Sequence, residues 1–345
     1  YRRAARRALT HQVVLGAAPG AEPGDPCLRR QIASSACIDS RVRCRGMKRL
    51  AATLFAAALI APAHAVVILD STYKEEGYAA SEALAAEPQF AASFALCDAE
   101  GEGCGNASGT WIGNDETNGY ILTAAHAFDG DDFANRWTYR SRGGRYYRAE
   151  SVVVHPNYVR VEATNQETAY SLGFDVAIVT LSEPVEDAGE QPLLYTGTQE
   201  EGMTLTFVGY GTRGMASQGE DENEPAGAVA AAAEGVIDRV LPLVLNEAGE
   251  ADGNSLEITL PKEDGSVDNP ITGETGGKPV SRNAGLLGGG DSGGGAWIET
   301  EAGWAIAGVN GDGSGKAQYG DTSGFARVSG HIAWITEIFP GARIR

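Results

Sequence analysis

Short apolar stretches punctuated by Gly, Asp and Asn recur along most of the chain: GTWIG, GYILTAA, AESVVVH, DVAIVTL, LTFVGYG, VIDRVLPLV, SLEITL, GAWIE and AIAGVNG. Each is about the length of one strand and shorter than a self-sufficient helix, and several are rich in the β-branched and aromatic side chains that fit a pleated surface. Strands at this spacing, with few helical patterns between them, predict an all-β barrel or sandwich. HIAWITEIF, residues 331–339, differs: its apolar residues fall at helical spacing, which predicts a short C-terminal helix. The turn-rich SEPVEDAGEQP that begins at Ser182 divides the strands into a first part, 66–190, and a second, 191–345. About 280 residues follow position 65, enough for two modest cores or one large one.

Residues 1–46 do not read like the rest. They are rich in Arg, show no sustained apolar period, and are expected to be translated upstream sequence rather than part of the native protein. An organellar transit peptide would suit their composition but not the second targeting signal behind them. Met47, Lys48 and Arg49 form a basic start, residues 50–63 an apolar stretch, and Ala63-His64-Ala65 a small-x-small cleavage site, the three parts of a secretory signal over 47–65. The apolar stretch falls short of the ~20 residues that span a bilayer. Cleavage after Ala65 and secretion to an extracellular or periplasmic space are expected, with no membrane attachment.

Setting that leader aside sharpens the charge. The full chain has 27 Lys and Arg against 46 Asp and Glu, net −19; residues 1–65 hold 11 and 3 of these, leaving 16 against 43, or −27. Such a surplus repels nucleic acid and anionic membranes, which excludes both as partners, and keeps a secreted protein soluble. Of the five cysteines, Cys27, Cys37 and Cys44 lie in the leader, so Cys97 and Cys104 remain, separated by the turn-like DAEGEG. In an exported chain this pair is expected to form a local disulfide worth about 2–3 kcal/mol. A metal site would need two more ligands that nothing nearby supplies.

GGGDSGGG, residues 288–295, sets Ser292 among neighbours with almost no side chains. Two upstream segments supply what a serine needs to attack a carbonyl: LTAAH, ending at His126, and FDVAIVTL, carrying Asp175. Serine is a weak nucleophile at neutral pH; it requires a base within hydrogen-bond reach and an acid that fixes that base's tautomer. Taken singly, the glycine run reads as a flexible turn and the histidine as a core residue. Taken together, in the order His, Asp, Ser, they read as a triad. Residues 290–294 also fit the G-x-S-x-G elbow of α/β-hydrolases, but that fold demands the order Ser, acid, His. The sole histidine after Ser292 is His331, in the predicted terminal helix.

TAAH, DVAIVTL and GDSGG resemble the three catalytic segments of the chymotrypsin-like (trypsin-like) serine proteases. VVVHPNY at 152–158, GYGT at 209–212, AGVNGDG at 307–313 and GFARVSGHIAWI at 324–335 extend the match over most of 105–335. The resemblance implies two six-stranded Greek-key β-barrels with the active site between them. It implies a serine endopeptidase that cuts protein or peptide substrates through an acyl-enzyme, without cofactor or metal, and a monomer is expected. Ser292 is implied as nucleophile, His126 as base, Asp175 as the imidazole's partner, and the backbone N–H groups of Gly290 and Ser292 as the oxyanion donors. Asp291 is implied as the partner of a free N-terminal amine, which Val66 would supply after cleavage, although Val66-Val67-Ile68 is not the family's usual Ile-Val-Gly-Gly. The family's cysteine braces are absent: Ala127 follows His126, and Gly288 stands near Ser292.

For the primary pocket the resemblance implies contacts from Leu286, Gly288, Gly311, Asp312 and Gly313. Trypsin itself carries at the position of Leu286 an Asp that pairs with substrate Arg or Lys, and a leucine cannot compensate a buried cation. Uncharged apolar or small side chains are therefore expected on the acyl side of the cut, unless an acid from elsewhere, with Asp312 the nearest candidate, enters the pocket. Residues 214–285 are longer and more acidic than the family's corresponding region. Within them GEDENEPAGAVAAAAEG, 219–235, is expected as a solvated loop, with substrate gating or calcium binding as alternatives. Asp129, Asp131 and Asp132 offer hard oxygen ligands without EF-hand spacing and are expected to form a solvated turn. A binding module on a protease fold with little turnover, and an esterase for small acyl substrates, remain as rival functions.

Overall fold

The computed structural model describes residues 66–128, 136–158, 173–221, 223, 226–241 and 254–344. After a first short strand, Val66–Ile68 (β1), six strands follow: Ser93–Asp98 (β2), Ala107–Asn114 (β3), Gly119–Thr123 (β4), Trp137–Ser141 (β5), Tyr146–Val154 (β6) and Ala177–Leu181 (β7). They close on themselves in the order β2-β3-β4-β7-β6-β5, all neighbours antiparallel. Next come Leu193–Leu194 (β8), Thr204–Gly209 (β9), Arg213–Met215 (β10), Gly219–Glu220 (β11), Ala231–Leu241 (β12), Ser255–Thr259 (β13), Gly285–Leu286 (β14), Gly295–Thr300 (β15), Gly303–Gly313 (β16) and Thr322–Arg327 (β17). Six of these close a second antiparallel ring, β9-β12-β13-β17-β16-β15. Numbered along the chain, both rings run through their strands in the same circuit, 1-2-3-6-5-4, the Greek-key order in which a long connection from the third strand brings the fourth back beside the first. Closure leaves neither ring an open edge.

The strands of each ring contribute apolar side chains to its core. Phe94, Ile121, Tyr139, Tyr147 and Ile178 are buried in the first, and Phe207, Ile237, Leu256, Ile258, Ile298 and Phe325 in the second. Each such apolar side chain stabilises the fold by about 1.5–3 kcal/mol. β1 stands early in the chain yet serves the second core: it pairs in parallel with β10 and antiparallel with β14, and Val66, Val67 and Ile68 are all buried there. Residues 182–192 carry neither helix nor strand and link β7 to β8.

All nine apolar stretches named above overlap strands. SFALCD in β2 and the Trp137–Ser141 strand were not among them, and neither were two short helices, Asp70–Glu76 (α1) and Ala79–Ala85 (α2). The C-terminal helix is Ile332–Ile338 (α3), entered through a 3₁₀ turn at Val328–His331. The stretch 219–235 is not simply a solvated loop: it begins in β11 and ends in β12, where Ala231, Ala232 and Ala233 are fully buried and paired with β9. Small side chains suit that position because both faces of the strand are covered. Cys97 and Cys104 are disulfide-bonded across the turn, their Cα atoms 4.0 Å apart. The leader, the signal segment and Asp129, Asp131 and Asp132 lie outside the described residues. Among those described, no helix is long and apolar enough to cross a membrane and no group of three or more His, Cys, Asp or Glu could hold a metal ion.

Candidate active site

β4 and β7 are antiparallel neighbours with Thr123 opposite Ala177. The chain therefore leaves β4 and enters β7 at the same end of the first barrel, so His126, just past Thr123, meets Asp175, just before Ala177. LTAAH closes into a 3₁₀ turn at Ala125–Ala127. Both Asp175 oxygens are engaged by the same residue: the His126 backbone N–H donates to Oδ1 at 2.8 Å, and the ring Nδ1 lies 2.5 Å from Oδ2. The Asp175 side chain is 2% exposed and that of His126 25%. A buried carboxylate facing Nδ1 favours the proton on that nitrogen, which makes Nε2 the basic position of the ring.

The serine loop owes its shape to its glycines. Gly290 has φ +96°, and a Cβ there would come within 2.1 Å of the Gly105 carbonyl oxygen, so no other residue fits. At Gly293 a Cβ would lie 2.2 Å from Thr123 Oγ1, which shows that the segment leading to His126 packs directly on the serine loop. Ser108, on β3, ties the two barrels together: its N–H donates to Ser292 O at 2.7 Å and its hydroxyl to Gly290 O at 3.0 Å, while Oγ accepts the Tyr210 N–H at 2.9 Å. The Thr212 N–H donates to Gly289 O at 2.7 Å. That carbonyl shares a planar peptide with the Gly290 N–H, so the same bond sets where the Gly290 N–H points. The N–H groups of Gly290 and Ser292 donate to no acceptor among the described residues. Ser292 Oγ donates to Gly311 O at 3.3 Å.

Asp291 is fully buried. Its carboxylate accepts the N–H groups of Gly288 at 2.8 Å, Gly211 at 2.9 Å and Val66 at 3.3 Å. Burial pushes its carboxyl up to about 7; the three N–H groups pull it back, and the nearby Glu220 adds to the rise. Val66 itself has φ +64°, a left-handed conformation that a β-branched residue adopts only under strain.

Beside Ser292 lies a cavity of about 150 Å³, lined among others by Glu220, Leu287, Gly288, Gly311, Asp312 and Gly313. Leu286 is not on it. It is fully buried in the second core, in register with Val67, and Leu287, one residue past the end of β14, lines the cavity instead. No acid stands at 286, 287 or 288, but two carboxylates reach the cavity from elsewhere, Glu220 from β11 and Asp312 from β16. Glu220 accepts the Gly289 N–H at 3.0 Å. Sequence reading passed over Glu220, Ser108 and Thr212, whose partners lie far away along the chain, 182 positions in the case of Ser108 and Gly290. No local signal marks them.

A family model described as Trypsin-like peptidase domain matches residues 107–301, more than half of the chain and a span that includes His126, Asp175 and Ser292. Comparison with curated proteins found no match. A family match of that extent, on a chain whose strands close two six-stranded antiparallel barrels, means that the protein belongs to the trypsin-like peptidase domain family.

Proposed function

We propose that the protein is a secreted serine endopeptidase whose triad is His126, Asp175 and Ser292. Ser292 Oγ attacks the peptide carbonyl as His126 Nε2 takes its proton; the imidazolium, held by Asp175, then gives that proton to the leaving amine, and water hydrolyses the acyl-enzyme by the same route reversed. The N–H groups of Gly290 and Ser292 receive the oxyanion, each such donor being worth about 3 kcal/mol. The observation that carries this reading is the His126–Asp175 contact at 2.5 Å, on the barrel end against which the serine loop packs. An organophosphonate probe, which reacts only with an activated serine, should label Ser292 stoichiometrically and abolish peptide hydrolysis. Active enzyme that is left unlabelled, or labelled elsewhere, would end the proposal.

Ser108 acts as a positioning residue for the oxyanion loop. Ser108→Ala removes the hydroxyl that holds Gly290 O and leaves the buried Tyr210 N–H without its acceptor, at a cost of about 1–3 kcal/mol. kcat is expected to fall about tenfold with KM little changed, since the lost order concerns the transition state. Unchanged kcat in a destabilised variant would reduce Ser108 to a structural role.

Cleavage after Ala65 gives Val66 a free ammonium beside Asp291 and, by removing the preceding peptide, relieves the strain at Val66. In a chain extended ahead of Val66, Asp291 has no such partner, and its folded-state carboxyl titrates near 7 rather than in the ordinary carboxylate range. A folded value raised in this way makes ionisation cost stability. The extended chain is therefore most stable below about pH 4 with respect to this group and loses on the order of a few kcal/mol as pH rises through about 7. The chain that starts at Val66 should be spared that loss, because its ammonium compensates the carboxylate. Calorimetric melting of both forms across this range tests the pairing: parallel Tm curves would show that Asp291 is satisfied without the amine.

A further inference from the structure

We propose that the cavity beside Ser292 binds a substrate side chain carrying an ammonium or guanidinium group, recognised by Glu220 and Asp312 in place of the acid missing at position 286. The inference rests on the serine-peptidase reading above and names its substrate class: peptide bonds that follow Lys or Arg.

The cavity's lining contains two carboxylates and no basic residue, and neither carboxylate is ion-paired among the described residues. Both are held in place. Glu220 is fixed through its backbone N–H, which donates to Lys316 O at 3.2 Å, and through Oε1, which accepts the Gly289 N–H; Oε2 remains for a ligand. Asp312 stands at an irregularity of β16, opposite Gly324 of β17. A Cβ on Gly324 would come within 2.4 Å of Asp312 Oδ1, so the glycine is what leaves room for this carboxylate. Glycines on the cavity wall let a long side chain pass, while Leu287 and Ala317 offer apolar contact for its methylene stem.

The surrounding charges point the same way. Desolvation, then Asp175, then Glu257 hold the Asp312 carboxyl above its ordinary range. A backbone hydrogen bond and the nearby His126 offset part of that rise, and among the residues that line the cavity none is basic. A cationic side chain relieves that repulsion, a neutral one leaves it, and an acidic one adds to it. Glu220 and Asp312 are both open to solvent, so the expected discrimination is moderate, on the order of tenfold to a hundredfold.

Matched peptides that differ only at the residue on the acyl side of the cut provide the test. kcat/KM should be highest for Arg and Lys, at least about tenfold lower for Leu and Ala, and lowest for Glu. Glu220→Gln and Asp312→Asn should each narrow the ratio of Arg to Leu, and the double variant should erase it. A second measurement needs no variant: butylguanidinium should inhibit the unmodified protein competitively, more weakly as salt rises, whereas its neutral counterpart butylurea should not. Peptide cleavage that favours Leu or Ala, or equal inhibition by the two small molecules, overturns the inference while leaving the peptidase reading intact. If no peptide is cut and the phosphonate leaves Ser292 unlabelled, the peptidase reading fails and takes the inference with it.

Discussion

Ser292→Ala is expected to lower peptide hydrolysis on the order of a millionfold while leaving a folded, secreted protein. Among the described residues the side chain makes a single hydrogen bond, to Gly311 O at 3.3 Å, and alanine keeps the Cβ, so nothing in the loop's glycine-determined shape is disturbed. Some acceleration over water should survive, because the N–H donors of Gly290 and Ser292 belong to the backbone and persist in the variant. The comparison is turnover of a peptide substrate by wild type and variant at matched concentration, with circular dichroism to confirm the fold. Substantial residual hydrolysis by the purified variant would move the nucleophile elsewhere.

Asp175→Asn should cost about 10⁴ in kcat, and the geometry gives the reason. Asp175 presents two acceptor oxygens to two donors on one residue, the backbone N–H and the ring Nδ1 of His126. Asparagine has one acceptor and one donor. The backbone N–H cannot stop donating, so the amide oxygen stays with it and the amide NH₂ turns towards Nδ1. The ring alone can adapt: Nδ1 becomes the acceptor and the proton moves to Nε2, the atom that has to act as base. The variant should fold, since the amide fills the same volume and both contacts remain satisfied. A loss of less than tenfold would remove Asp175 from the site.

The nine apolar stretches all overlap strands because a closed barrel buries most of each strand, and the turn residues between them break any helical period. β2 and β5 were harder to see. SFALCD lacks alternation and WTYRS alternates over only five residues, and pairing with each other and with β3 and β6 turns them into strands. The helices α1 and α2 are seven residues each, too short to be stable alone and so poorly marked in local propensity.

Local chemistry was legible wherever residue type alone decides the outcome. Glycine at 290 and 293 is demanded by a positive φ and by neighbours that admit no Cβ, and a cysteine pair seven residues apart needs only a turn to close. The order His126, Asp175, Ser292 likewise stands in the sequence itself. What surrounds Ser292 was decided only by the tertiary structure, because it depends on strands distant in the chain being brought to one barrel end. Ser108 clamps a loop 182 residues away, Val66 reaches Asp291 across 225, and Glu220 enters the cavity from an acidic stretch that locally resembles nothing but solvated loop. Leu286 and Leu287 are indistinguishable by composition, yet the strand pairing with β1 buries one in the core and turns the other towards the cavity. Sequence spacing therefore determined which residue types stand in the order His126, Asp175, Ser292, and β-pairing, acting over long separations, decided which charges line the cavity beside Ser292.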